Sequence, residues 1–227
     1  MLAFRALQQG IKRSYDNWRM WSNFMVVAVD AGQLSEAARA LGRIVEETSD
    51  KMGARSVDEP VLERLVEGVT RAPSNLEDAV EGGDTQNALM NPNEGHGLLR
   101  TVLDLFERII LPRVSSTRVF RSYAKLLMWQ GRWEEALKAH LDGYRAGSAG
   151  SMEKGETDLE KWRDAVTEVE DIVDVLRNFG PKVEGFKWKL QAKSIVRTFI
   201  GRTKDFEDEP EWVRLTDLQE ELKKEEE

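Results

Sequence analysis

The sequence predicts an all-α chain in which helical hairpins recur every 34 residues and then give way to an antiparallel bundle of three helices. Three observations carry this. The string Ala3-Phe4-Arg5-Ala6-Leu7 returns as Ala37-Ala38-Arg39-Ala40-Leu41, 34 positions later. Apolar residues elsewhere recur at helical spacing, without the strict alternation of a half-buried strand. Charged residues make up 33% of the 227 residues and apolar residues 41%, with only 6 prolines, which suits helices with one wet and one buried face.

The first segment, Ala3 to Leu7, has small residues three apart, the spacing at which two helices cross closely. It reads as the second helix of a hairpin whose first helix stands upstream, so the chain reads as the C-terminal end of a longer solenoid. A helix with Trp21 and Phe24 follows, placed 11 and 8 residues before Gly32. Glycine there permits the positive φ that a helix end favours. A second helix opens at Glu36-Ala37. The same order returns downstream, with Phe120 and Tyr123 at the same two offsets before Gly131, then Glu135-Ala136. A weaker copy of the small-residue string, Ala136-Leu137-Lys138-Ala139-His140, begins there. This arrangement is the signature of a tetratricopeptide repeat.

Between these copies, Asp58-Glu59-Pro60 is a helix start, and Val61, Leu62, Leu65, Val66 and Val69 form its apolar stripe. Leu98, Leu99, Val102, Leu103, Phe106, Ile109 and Ile110 form another, ended by Pro112. Asn75 to Gly95 is polar, with Gly82-Gly83 and Asn91-Pro92-Asn93, and predicts a disordered insertion at about 75–95. Gly147-Ser148-Ala149-Gly150-Ser151 predicts a flexible linker. Beyond it Leu159, Trp162, Val166, Val169, Val173 and Leu176 recur by threes and fours. Trp188, Ala192, Ile195, Phe199 and Ile200 mark a second bundle helix, and Trp212, Leu215, Leu218 and Leu222 a third. The expected division is repeats over 1–146 and a helical bundle over 156–225.

With no cysteine in the chain, thiol nucleophiles, thiolate metal sites and disulfides are excluded. The longest apolar run, Phe24 to Val29, is far too short for a membrane span. A soluble chain of cytosol or nucleus is expected, without cofactor or metal. His96 and His140 stand far apart, and His140 falls at a core position of its helix. Neither a phosphate-binding glycine loop nor a nucleophile elbow is present. The expectation is a non-enzymatic protein-binding scaffold.

Two basic features are candidates for partner binding. Arg118, Arg121 and Lys125 lie on one helical face with Trp129 one turn further, on the inner helix of a hairpin, where a repeat array presents residues to a ligand. They suit an acidic or aromatic peptide. The second is 182–204, with seven Lys/Arg against the single Glu184. Lys189, Lys193 and Arg197 form its stripe, beside Phe186 and Trp188. This supports an RNA-binding module, or simple pairing with the segment 205–227, which carries eleven acids against three bases. A purely structural role, closing off a longer solenoid, is the third reading.

The run Ala3 to Gln9, then Tyr15-Asp16-Asn17-Trp18-Arg19-Met20-Trp21-Ser22-Asn23-Phe24 and Asp30 to Ala37, resembles the tetratricopeptide repeat protein 27 family, including its fungal cell-wall-maintenance counterparts. The paired Trp18 and Trp21, followed by Asn23 and an aromatic, are more specific than a generic repeat. The match is clear over about 3–50 and looser over 96–145 and the bundle. The resemblance implies a long helical scaffold that assists assembly of the spliceosomal U-five snRNP in mRNA splicing, together with the Hsp-ninety chaperone and its adaptors. Repeats that clamp that chaperone's acidic terminus use Lys and Asn one turn apart. The corresponding places here hold Ser22 and Val26, so the clamp does not carry over.

Overall fold

The computed structural model describes residues 2–71 and 91–224, and these are helical without strands among the described residues. They fall into two compact units, Met1–Gln130 and Gly131–Glu227.

In the first unit, α1 (Leu2–Arg13), α2 (Trp18–Asp30), α3 (Leu34–Met52) and α4 (Glu59–Thr70) are followed by α5 (Gly95–Asp104) and α6 (Thr117–Trp129). A π-helical turn, Leu105–Ile110, continues α5 toward the Pro112 stop. The hairpin α2–α3 is built as expected, with Phe24, Ala28, Ala37, Leu41 and Ile44 buried and Trp21 partly buried at the edge. The small residues Ala37 and Ala40 allow the close crossing, and Gly32 turns the chain at φ +69°. Ala3 and Ala6, their counterparts in α1, are exposed. Aromatic residues lock the α1–α2 corner: Trp21 Nε1 donates to the Tyr15 carbonyl at 2.7 Å, and Phe4 stacks on Phe24 at 5.2 Å.

Residues 75–90 of the expected insertion lie outside the described residues. Its last part, 91–94, is an irregular turn fastened to the repeat. Asn93 Oδ1 accepts from the backbone N–H of Ser35 at 3.1 Å, and the Ser35 hydroxyl donates to the Pro92 carbonyl. Gln33, at the start of α3, makes no side-chain cap, so a residue 58 positions away performs that role. The turn passes close because Gly97 has no side chain: a Cβ there would lie 2.2 Å from the Asn91 carbonyl oxygen.

The second unit holds α7 (Trp133–Ala146), α8 (Ser148–Ser151), α9 (Leu159–Phe179), α10 (Trp188–Arg202) and α11 (Pro210–Lys224). The helices α9, α10 and α11 pack on one another around Trp162, Val169, Val173, Leu176, Phe199 and Leu215, all buried. Trp162 stacks on Phe206 at 4.7 Å. Asp158 caps α9, its Oδ1 accepting from the Lys161 N–H at 3.1 Å. The helix α7 packs on α9 through Leu137, Leu141 and Tyr144.

The expected linker at 147–151 is corrected here. Its middle is the helical turn α8, with Ala149 and Met152 each 1% exposed. The Ala149 N–H donates to Glu168 Oε2 at 2.8 Å. Small residues that read as flexibility serve close packing instead, since a Cβ on Gly150 would fall 2.3 Å from the Tyr144 carbonyl oxygen.

Candidate functional site

Within the first unit, α4 packs on α6 and touches α2, so the opening helices of successive hairpins lie side by side. Their positions follow from how each begins. Asn17 Oδ1 accepts from the Arg19 N–H at 3.1 Å, and Asp58 Oδ1 accepts from the Val61 N–H at 3.1 Å. Each carboxylate or amide oxygen satisfies a backbone donor that the first helical turn leaves open.

A groove of about 570 Å³ opens between α2, the end of α3 and the start of α4. Trp18, Met25 and Met52 supply its apolar lining, and Ser22, Arg55 and Glu59 its polar lining. Val26 is 48% exposed and Met52 39%, so apolar surface is accessible on these helices. Glu59 ties the groove to α6, accepting a hydrogen bond from Arg118 Nη1 at 2.6 Å. That bond, more than the attraction between the charges, holds the Arg118 guanidinium above its ordinary pKa.

The four residues expected to form a partner-binding stripe on α6 differ in setting. Arg118 is exposed and engaged with Glu59; Arg121 and Lys125 are exposed. Trp129 is partly buried, its ring tilted over the His96 imidazole at 4.7 Å. On the other side of α6, Ala124 and Leu127 are buried while Phe120 and Tyr123 are only partly covered. The Tyr123 hydroxyl donates to Glu107 Oε1 at 2.9 Å, which explains why that ring stops at the rim of the core.

In the second unit, Lys189 and Lys193 on α10 are partly buried and Arg197 is exposed. Acids of α11 and of the turn just before it face α9. Arg163 bonds Glu209 and Glu211, each at 3.1 Å, and Arg177 bonds Glu221 at 3.1 Å. Arg214 of α11 binds Glu170 of α9 through both guanidinium branches. This α9–α11 seam was missed in the sequence, because its acids and arginines lie some forty-five residues apart and only the fold aligns them. No group of three or more His, Asp or Glu among the described residues could hold a metal ion. No helix among them is long and apolar enough to cross a membrane.

A helix pair turned by Gly32 at positive φ, with α2, α4 and α6 side by side, gives a helical-repeat fold of the tetratricopeptide type. The comparisons agree. The chain is 29% identical over 97% of its length to a TPR repeat-containing protein of Schizosaccharomyces pombe. It is 27% identical over 97% of its length to the Saccharomyces cerevisiae protein named essential for maintenance of the cell wall protein 1. A tetratricopeptide repeat-containing protein of Caenorhabditis elegans matches 55% of the chain at 26% identity. The chain is similar to these tetratricopeptide-repeat proteins, and that likeness supports a protein–protein interaction scaffold. It spans 26% of the fission-yeast relative, 24% of the budding-yeast relative and 15% of the nematode one. No protein-family model and no solved structure matches the chain.

Proposed function

We propose that the chain is a non-catalytic scaffold that holds protein components of the spliceosomal U-five snRNP during assembly, alongside adaptors of the Hsp-ninety chaperone. The class of complex comes from the family resemblance carried by Trp18, Trp21 and the flanking residues. The single observation that supports a partner-holding role is the side-by-side packing of α2, α4 and α6 in the first unit. There the groove at Trp18, Ser22 and Met52 adjoins Glu59, and through it the α6 stripe of Arg118, Arg121, Lys125 and Trp129. An exposed apolar strip beside cations and a half-covered indole suits an extended peptide with acidic and apolar side chains, since aromatic and arginine anchors dominate many interfaces. In this reading residues 1–146 carry the repeats and 156–225 the bundle.

The test is quantitative capture of snRNP proteins from a splicing-competent extract by the native chain and by Arg121→Glu combined with Trp129→Ala. The expected outcome is enrichment by the native chain and a loss of at least about fivefold in the variant, of the order that losing one interface anchor causes. Helical content, read by circular dichroism, should be unchanged. Equal capture by native and variant chains, or no enrichment at all, would refute the proposal.

A further inference from the structure

A second surface, in the other unit, carries its own chemistry. Between α10 and α11 runs a groove of about 770 Å³, bounded by Leu190, Lys193, Arg197 and Gly201 on one side and by Gln219 and Lys223 on the other. Leu222, fully buried, closes its floor. Leu190 stands 60% exposed at one end. The wall is low along α10 because Gly201 has no side chain, and a Cβ there would meet nothing within 4 Å.

Charge distinguishes this groove from the rest of a chain whose formal net charge is −8. Among the described residues its charged lining is cationic: Lys193, Arg197 and Lys223. Arg197 and Lys223 have no acid partner among the described residues. The neighbouring acids of α11 do not neutralise them by geometry. Glu209, Glu211 and Glu221 are bonded to arginines of α9. At about 100° per residue, Asp217 projects away from the side of α11 that carries Gln219 and Leu222, and Glu220, one turn before Lys223, makes no ion pair with it.

We propose that this groove docks an acidic amphipathic helix from a partner protein. From Leu190 to Gly201 it runs about three helical turns, roughly 16 Å at the rise of an α-helix. That length accommodates side chains at i, i+3 or i+4 and i+7 of a docked helix, an apolar one against Leu190 and the next over Ser194, Thr198 and Gly201. Carboxylates flanking that stripe would meet Arg197 and Lys223 on opposite rims. A single-stranded nucleic acid is disfavoured because no aromatic side chain among the described residues lines the groove to stack a base. Trp188 stands on the same helix, but its side chain lies against Gly180.

The test uses the whole chain and a fluorescein-labelled amphipathic peptide of about 18 residues, with Leu at the helical contact positions and Glu on the flanks. Fluorescence anisotropy should show saturable binding that weakens at least about tenfold in Arg197→Glu combined with Lys223→Glu, and likewise in Leu190→Asp. Val213, 58% exposed and away from the groove, supplies the control: Val213→Asp should leave binding unchanged. All the substituted residues are on the surface, and circular dichroism verifies their helical content. Three results would each overturn the proposal. One is no binding by the native chain. Another is equal weakening by Val213→Asp. The third is tighter binding of a uridine oligonucleotide that is indifferent to Leu190→Asp, which would make the surface a phosphate-binding one.

Discussion

At the scale of single residues, the structure separates glycines that turn the chain from glycines that let it pass. Gly32 and Gly131 adopt φ of +69° and +74°, and both were legible as helix ends from their aromatic offsets. Gly150 was read as a linker residue, because nothing local distinguishes a glycine that is flexible from one that another backbone presses upon. Gly150→Ala should therefore lower stability by about 1–3 kcal/mol, since the Tyr144 backbone cannot retreat without disturbing α7. Thermal denaturation of native and variant chains measures it. Tyr144 itself gives a pH test. Burial, the main cause, pushes its phenol from 10.0 up to about 12, with Glu168 adding to the rise and Arg202 opposing it. Because the folded value lies above the unfolded one, the stabilisation is fully present below about pH 10 and is lost as pH rises toward 12. The stability difference between the native chain and Tyr144→Phe should shift by on the order of 2 kcal/mol across that window, against the native chain. Chemical denaturation at pH 8 and pH 11.5 would detect it.

Among the helices, amphipathic spacing made most elements readable in advance. The stripe from Trp162 to Leu176 is buried as its heptad pattern requires, and so are Val61, Leu62, Leu65 and Val69 of α4. What the spacing does not contain is the tertiary cap on α3, where Asn93 supplies what Gln33 does not. Nor does it contain the α9–α11 seam. The basic stripe of α10 and the acidic run after it suggested pairing with each other by proximity in sequence. The fold turns three of those acids toward Arg163 and Arg177. The candidate stripe on α6 could be read as one face, but its link to Glu59 rests on a contact across 59 positions. Ala37 offers the sharpest test of the hairpin packing. It is fully buried where α3 crosses α2, so Ala37→Leu should cost about 1–3 kcal/mol through overpacking, measured by urea denaturation. A neutral result would mean that the crossing is looser than the structure has it.

For the molecule as a whole, each unit has a core of its own, and amide exchange should report both. The slowest amides are expected around Leu41 to Val45 and Leu62 to Val66 in one, and Val166 to Val173 in the other, where apolar side chains are fully enclosed. In α1 only Ile11 is buried, so its amides should exchange early; hydrogen–deuterium exchange with peptide mapping resolves all four segments. The glycine turns carry a further consequence. Around Gly32, Ala31 has φ, ψ of −83°, 0° and Gln33 has −88°, 64°; around Gly131, Gln130 has −80°, −5° and Arg132 has −81°, 65°. Two tripeptides with almost no shared sequence thus hold one backbone shape, so they are interchangeable parts. Transplanting Gln130-Gly131-Arg132 into the place of Ala31-Gly32-Gln33, and the reverse, should leave the melting temperature nearly untouched, whereas moving either glycine by one position should not. The repeat is, at its corners, a modular kit in which side chains are free to diverge while the joint is kept.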